Sequence, residues 1–498
     1  MFGNVRKSGI LCHITSLPGD FGIGDLGKNA YYFVDFLKNT LQSYWQILPL
    51  GHVGQSASPY QSHSAFAGNP YLIDLESLIE EGFLFEDDFY NMPEFNPNLI
   101  NFELLFSWKM NLLKKSVVKF IEKGLNNAED FKCFCKKEAW WLEDYALFMA
   151  LKDKHCGKPW NKWKKNISNR NKSAIAKAKK DLSNELLEYK IIQFFFFTQW
   201  LKLKNYANNA GIQIIGDLPI FVDFDSDCVW ANPHLFLLDE NNNPDYVTGV
   251  PPDYFCEDGQ YWGNPLYNWD VIKSEKYLFW ENRFKQTFAM VDVVRLDHFR
   301  AFAEAWKIKA NKAFSARKGK WMHGPGKDFF DFMKSKIKEF NIIAEDLGII
   351  DKKVTDLRDQ CGFPGMAVLE FAFDEGDSLF LPHNLIKNQV AYVGTHDNNT
   401  AIGWWSEIPE EIKNYVCRYF SVDGNNINWD MIRNIAKSVS NTAVYTIQDI
   451  IGLDGNARMN FPGTSAGNWN FRFQWSMIND FHTNMLREIT LLYKRNPK

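Results

Sequence analysis

Three acidic residues stand at or just beyond the ends of short apolar runs. They are Asp297 in Val293-Val294-Arg295-Leu296-Asp297-His298, Glu345 in Ile342-Ile343-Ala344-Glu345-Asp346, and Asp397 in Val393-Gly394-Thr395-His396-Asp397. A carboxylate at a strand end is poorly placed for core packing; in a parallel barrel that is the face where chemistry is built. Three together fit the making or breaking of an acid-labile bond, and a glycosidic bond fits best. Retaining chemistry of that kind needs one carboxylate as nucleophile and one carboxylic acid about 5–5.5 Å away to protonate the leaving oxygen. If the fourth and fifth runs are neighbouring strands, Asp297 and Glu345 share one mouth, and Asp397 reaches in from the seventh run. Arg295 lies two residues before Asp297 and so points to the same side of the strand. A guanidinium there favours the ionised form of Asp297, as a nucleophile requires. Glu345 must instead stay protonated near neutral pH, which calls for a less polar pocket. Asp346 points the opposite way and reads as structural. His298 and His396 each adjoin one of these acids, which assigns both to the site rather than to the core. A metal centre made from Asp297, His298, His396 and Asp397 would have suitable residue types, but no His-x-x-x-His or comparable spacing supports it. No metal and no cofactor is expected.

The elements that must position these residues are legible as eight apolar runs: 9–17, 44–50, 212–222, 291–298, 342–347, 366–373, 390–395 and 443–450. Few of them alternate polar with apolar, as expected of strands buried on both faces of a parallel sheet. Stretches of helical period lie between several of them. Leu26, Ala30, Phe33, Val34, Leu37 and Leu41 form one such stripe. Eight strand–helix units predict a (β/α)8 TIM barrel, here a single catalytic unit over 1–498 with no separate C-terminal β-sandwich. About 160 residues separate the second and third runs. Within them, 102–150 and 172–209 read as helical, which predicts an inserted, mostly helical subdomain over 75–205. The segment 223–280 is rich in Pro, Gly, Asn and aromatics. It reads as an inserted loop region, the kind of segment that carries function on a rigid scaffold.

Composition narrows the partners. The formal net charge of −4 asks for neither nucleic acid nor an anionic membrane. The basic stretch 162–180 lacks interleaved aromatics for base stacking and reads as a solvated helical face. No apolar run reaches the ~18 residues of a membrane span, and the first residues carry no apolar core of a signal peptide. Eight cysteines lie without regular spacing, which fits reduced thiols in the cytoplasm. Gly22-Ile23-Gly24-Asp25-Leu26-Gly27 is a literal G-x-G-x-x-G. However, Ser16–Phe21 separates it from the first run, and the next run carries no acid for a ribose. It reads as a tight loop.

The chain resembles the 4-α-glucanotransferases, also called amylomaltases or disproportionating enzymes, of glycoside hydrolase family 77, relatives of the α-amylases. The resemblance runs over nearly the whole chain. It is carried by Gly9–Pro18, Trp45–Gly51, Ser58-Pro59-Tyr60-Gln61-Ser62, Gly68–Ile73 and Gly216–Val222. The most specific part is Gly249-Val250-Pro251-Pro252-Asp253-Tyr254-Phe255 followed by Gly259–Pro265, a loop that ordinary α-amylases lack. Carried over residue by residue, the resemblance implies that Asp297 is the nucleophile, Glu345 the general acid/base and Asp397 the transition-state stabiliser. Arg295 and His396 match residues that hold the donor sugar, and Asp217 matches a supporting aspartate on the third strand. Trp262 and Tyr254 belong to the acceptor-side loop, while Ser58 and Tyr60 match another loop lining the cleft. Asp374, after the sixth strand, matches a sugar-contacting acid more weakly; His298 is placed in the site by its adjacency to Asp297 and not by the resemblance. One departure is Gln55-Ser56-Ala57, where family members often carry Gly-Asp before Ser-Pro-Tyr. It bears on acceptor-side contacts and on aromatic secondary glucan binding nearby, not on the three acids.

The implied activity is transfer of α-1,4-glucan segments through a covalent glucosyl-Asp intermediate, acting on maltooligosaccharides, amylose or glycogen, in a monomer or homodimer. The same three acids would serve a retaining α-glucosidase or α-amylase-type hydrolase, so only the acceptor-side loops separate the two. A non-catalytic glucan-binding barrel would usually have lost an acid, and all three stand.

Overall fold

The computed structural model describes residues 5–252, 257–310, 316–374 and 376–496. Its twelve strands, in chain order, are β1 (Lys7–Leu11), β2 (Tyr44–Gln46), β3 (Gln213–Pro219), β4 (Tyr246–Val250), β5 (Gln260–Pro265), β6 (Val293–Asp297), β7 (Glu304–Lys309), β8 (Lys320–His323), β9 (Ile342–Ala344), β10 (Gly365–Val368), β11 (Gln389–Tyr392) and β12 (Thr442–Thr446). Eight of them form one parallel sheet in the order β10-β11-β12-β1-β2-β3-β6-β9. The two ends of that order meet: the Ala344 N–H donates to the Pro364 carbonyl at 2.9 Å, closing the sheet into a nearly complete barrel. Each strand lies within or overlaps one of the eight apolar runs, because a strand covered on both faces must be apolar throughout.

Asp346 braces the seam. It accepts from Met366 N at 2.7 Å and pairs with Arg358 at 2.5 Å. Gly365 is required there, because a Cβ at that position would collide with the Asp346 carboxylate. This is the structural role its strand parity predicts.

Helices Phe102–Glu122, Glu129–Lys154, Lys172–Asp181 and Ser183–Asn209 fill most of the interval between β2 and β3. They pack through aromatics such as Phe120, Phe131 and Phe195, all buried. Within the basic stretch, Arg170 pairs with Asp144 at 2.7 Å and its guanidinium lies over Trp230. The glycine-rich 22–27 segment is a packed loop: the Gly24 N–H donates to Thr15 O, and a Cβ on Gly24 would meet the Ile14 carbonyl.

A second sheet, antiparallel in the order β5-β4-β7-β8, had no counterpart in the sequence reading. Its hairpin β4–β5 falls within the 223–280 region, but β7 and β8 follow β6. A short signal was present: Trp306-Lys307-Ile308-Lys309 alternates apolar and polar, as a sheet with one solvated face does. Among the described residues no helix is long and apolar enough to cross a membrane.

Candidate active site

The carboxyl ends of the barrel strands open onto a cleft of about 890 Å3, within the usual range for ligand sites of roughly 300–1,000 Å3. β3 and β6 run in register, with Asp217 opposite Arg295 and Pro219 opposite Asp297. Their side chains therefore share a face. Arg295 is 3% exposed, and its Nη1 donates to Asp217 Oδ2 at 2.6 Å and to Asp297 Oδ1 at 3.1 Å. One guanidinium nitrogen thus fixes both carboxylates.

Beyond Asp297 the chain turns sharply. His298 has φ +48°, a left-handed conformation uncommon outside glycine. The turn points its N–H at the next strand end, where it donates to Glu345 Oε2 at 2.6 Å. Glu345 Oε1 accepts from Leu347 N at 3.0 Å. The His298 ring packs edge-on to Trp262 at 4.7 Å. Burial, with Arg300 adding to it, pushes His298 down to about 3, so the imidazole is neutral near pH 7.

Tyr60 links two sides of the cleft. Its hydroxyl donates to Asp217 Oδ2 at 2.7 Å and lies 2.8 Å from His396 Nε2. With that proton directed at Asp217, the phenol oxygen accepts from His396, which places the imidazole proton on Nε2. The same nitrogen lies 3.2 Å from Asp397 Oδ2. The Tyr60 and His396 rings stack at 5.4 Å, and Trp469 packs against both.

The three acids differ in proton affinity. For Asp297 burial is the largest influence and pushes its carboxyl well up; Arg295 opposes it, while Asp217, Glu345 and Asp397 add to the rise. Sequence parity predicts the Arg295 pair but not the stronger opposing effect of burial and crowded carboxylates. Glu345 is also raised, chiefly by burial, against Arg295 and the two backbone donors. Asp397 goes the other way. Burial would raise it, but His396, the Asn460 side chain and Arg295 together hold it well below the usual carboxylate range.

Of the residues singled out from sequence, Ser58, Tyr60, Trp262, Arg295, Asp297, His298, Glu345, His396 and Asp397 line this one cleft. Asp217 lies directly behind it, fully buried at its side chain. Asp374 is exposed and does not line the cleft. Tyr254 lies outside the described residues. Gln55, Ser56 and Ala57 do form part of the wall. The segment 458–470 escaped the sequence reading altogether. Asn460 Nδ2 donates to Asp397 Oδ1 at 2.6 Å, and Arg458 Nη2 donates to the Asp397 carbonyl at 2.7 Å. Its only cue was composition: Asn460-Phe461-Pro462-Gly463-Thr464-Ser465 is the polar, turn-rich loop that follows a barrel strand. Among the described residues, no group of three or more His, Cys, Asp or Glu is placed to hold a metal ion.

Residues 12–478 match the family described as 4-alpha-glucanotransferase, glycoside hydrolase family 77. The chain is 45% identical over 492 residues to the 4-alpha-glucanotransferase of Thermus thermophilus, covering 97% of each protein. It is 44% identical over 498 residues to the 4-alpha-glucanotransferase of Synechocystis, covering 98% of each. Among solved structures, the amylomaltase from Streptococcus agalactiae in complex with acarbose superposes with a TM-score of 0.96 at 40% identity, covering 99% of this chain and 100% of that one.

Proposed function

The chain belongs to the 4-alpha-glucanotransferases of glycoside hydrolase family 77, and from that premise we propose a retaining transfer of α-1,4-glucan segments through a covalent glucosyl-Asp297 intermediate. The carrying observation is that Glu345 accepts from the backbone N–H of His298, the residue directly after Asp297. The two acids therefore stand at the ends of paired strands and line one cleft.

In the first step an Asp297 oxygen attacks the anomeric carbon. The bond to the departing glucan breaks, and the Glu345 proton passes to its 4-oxygen. In the second, the Glu345 carboxylate takes the proton from the 4-hydroxyl of an acceptor glucan, whose oxygen attacks the anomeric carbon and releases Asp297. Two inversions give retention. A raised Glu345 suits a residue that must begin protonated; Asp297 is raised as well, and its bond to Arg295 is what favours the ionised form that attack requires. Asp397, held ionised, is an acceptor for sugar hydroxyls and stabilises positive charge at the anomeric carbon. Arg295 and His396 hold the donor sugar, Asp217 and Tyr60 hold those two in place, and Ser58 lines the wall beside them. Trp262, on the hairpin 246–265, lies on the acceptor side, where sugar must displace water for transfer to beat hydrolysis. The seven described cysteines are free thiols, which supports a reducing compartment, the cytoplasm.

Maltotriose is the test. Glucose plus a ladder of longer maltooligosaccharides is expected; short sugars with no lengthening would leave a hydrolase. Asp297→Asn is expected to lower turnover at least about 10⁴-fold, and retained turnover overturns the assignment of the nucleophile.

A further inference from the structure

The second sheet forms a wall of the cleft that the three acids do not use. Its register aligns Tyr261 with Gly249, Gly249 with Trp306, and Trp306 with Trp321. Residues in such a row project to the same side of the sheet. Tyr261 and Trp321, at the two ends of the row, both line the cleft. Gly249 between them lacks a side chain, and a Cβ there would collide with the Gln260 carbonyl. The row is therefore an aromatic strip with a gap.

Trp321 is held more firmly than a solvent-facing indole needs to be. The Arg300 guanidinium lies 3.9 Å from its ring centroid. Arg300 is itself 5% exposed and tied to Ile349 O at 2.7 Å and Asp351 Oδ2 at 2.9 Å. Trp306 meets Trp321 edge-on at 4.9 Å and is fixed in turn by donating to Ala316 O at 2.8 Å. A flat, pre-positioned apolar ring loses little freedom on binding and suits the C–H face of a hexose. The anchors also place it on the Glu345 side: Ile349, whose carbonyl holds Arg300, follows Glu345 by four residues and lines the cleft too. Glu345 is where the departing and incoming glucans exchange a proton.

We infer that Trp321 is a stacking platform for a distal glucose unit of the acceptor, beyond Trp262, and that it sets the preference for long acceptors over free glucose. Trp262 packs on His298, one residue from the nucleophile, so it serves the first acceptor unit. Trp262 follows Tyr261 and points to the other side of its strand, whereas Trp321 lines the same cleft on the Tyr261 side, three strands away, and serves a later unit. Only acceptors with several units reach it. This inference rests on the transfer reading above.

Acceptor KM for glucose and for maltohexaose is measured in wild type, Trp321→Ala and Trp321→Phe with one common donor. Wild type must lengthen acceptors at all; if it does not, the transfer reading fails and not the platform. Given transfer, the KM ratio of maltohexaose to glucose is expected to rise at least about tenfold in Trp321→Ala. Most of that rise is expected to be recovered in Trp321→Phe, which keeps a ring. A merely structural role for Trp321 would move both acceptors together, and an unchanged ratio in the two variants overturns the platform.

Discussion

The two sides of the cleft are built on different plans. Asp297 and Glu345 are fixed from the two adjacent strands they end: Arg295, on the same strand, holds Asp297, while the N–H groups of His298, at the end of the neighbouring strand, and of Leu347 hold Glu345. Asp397 is fixed by the adjacent His396 and, from afar, by Asn460 and Arg458 at sequence separations of 63 and 61. The proton affinities divide the same way. Burial wins at Asp297 and Glu345 and raises both, whereas donors win at Asp397 and lower it. Strand ends decide where an acid stands, but the hydrogen-bond donors around it decide its charge. A site with one permanent anion and one pair able to trade a proton needs both plans at once.

The largest test of this division is Glu345→Gln. It should slow transfer from maltotriose about 10²–10⁴-fold, the usual worth of a general acid. It should slow the first-turnover release of fluoride from α-glucosyl fluoride far less, since fluoride departs without a proton. The sign with pH follows from the raised carboxyl. The protonated form is the active one, so wild-type activity falls as pH rises through the Glu345 pKa. That alkaline limb should vanish with Glu345→Gln on the fluoride substrate. Equal losses on both substrates would mean that Glu345 is not the proton donor.

A smaller effect is expected on the other side. Asn460→Ala removes one donor from the Asp397 carboxylate, a charged hydrogen bond of about 1.5–3 kcal/mol, or roughly 10- to 100-fold in kcat/KM. Losing that donor raises the Asp397 pKa. Because the ionised form is the active one, the loss in kcat/KM should deepen as pH falls. A variant with wild-type kcat/KM at every pH would show that His396 and Arg295 set the charge of Asp397 without Asn460.

This difference in construction also explains what the sequence revealed. Asp297, Glu345 and the Arg295 pair follow from strand parity, which operates within a few residues. The barrel follows from eight apolar runs for the same reason. The roles of the Asn460 loop depend on a chain segment crossing from beyond β12, which no local pattern encodes. The β4–β5–β7–β8 wall lies between these cases: the short alternation in β7 was readable, but the pairing of these strands across β6 was not. Trp321 went unnoticed because its significance lies in Arg300 and Trp306, its neighbours only in three dimensions.

The smallest expected effect tests whether the two sides are independent. A chain of contacts runs Arg295–Asp217–Tyr60–His396–Asp397, so Tyr60→Phe should reach Asp397 through His396 while Asn460→Ala reaches it directly. Distant, uncoupled substitutions add to within about 0.3–0.5 kcal/mol. A coupling energy above that, measured on kcat/KM in a double-mutant cycle, is expected, because both substitutions act on one carboxylate that already balances burial against its donors. Additivity would instead mean that the Tyr60 hydroxyl serves only Asp217. The cleft would then hold two separately built halves that meet only in the substrate.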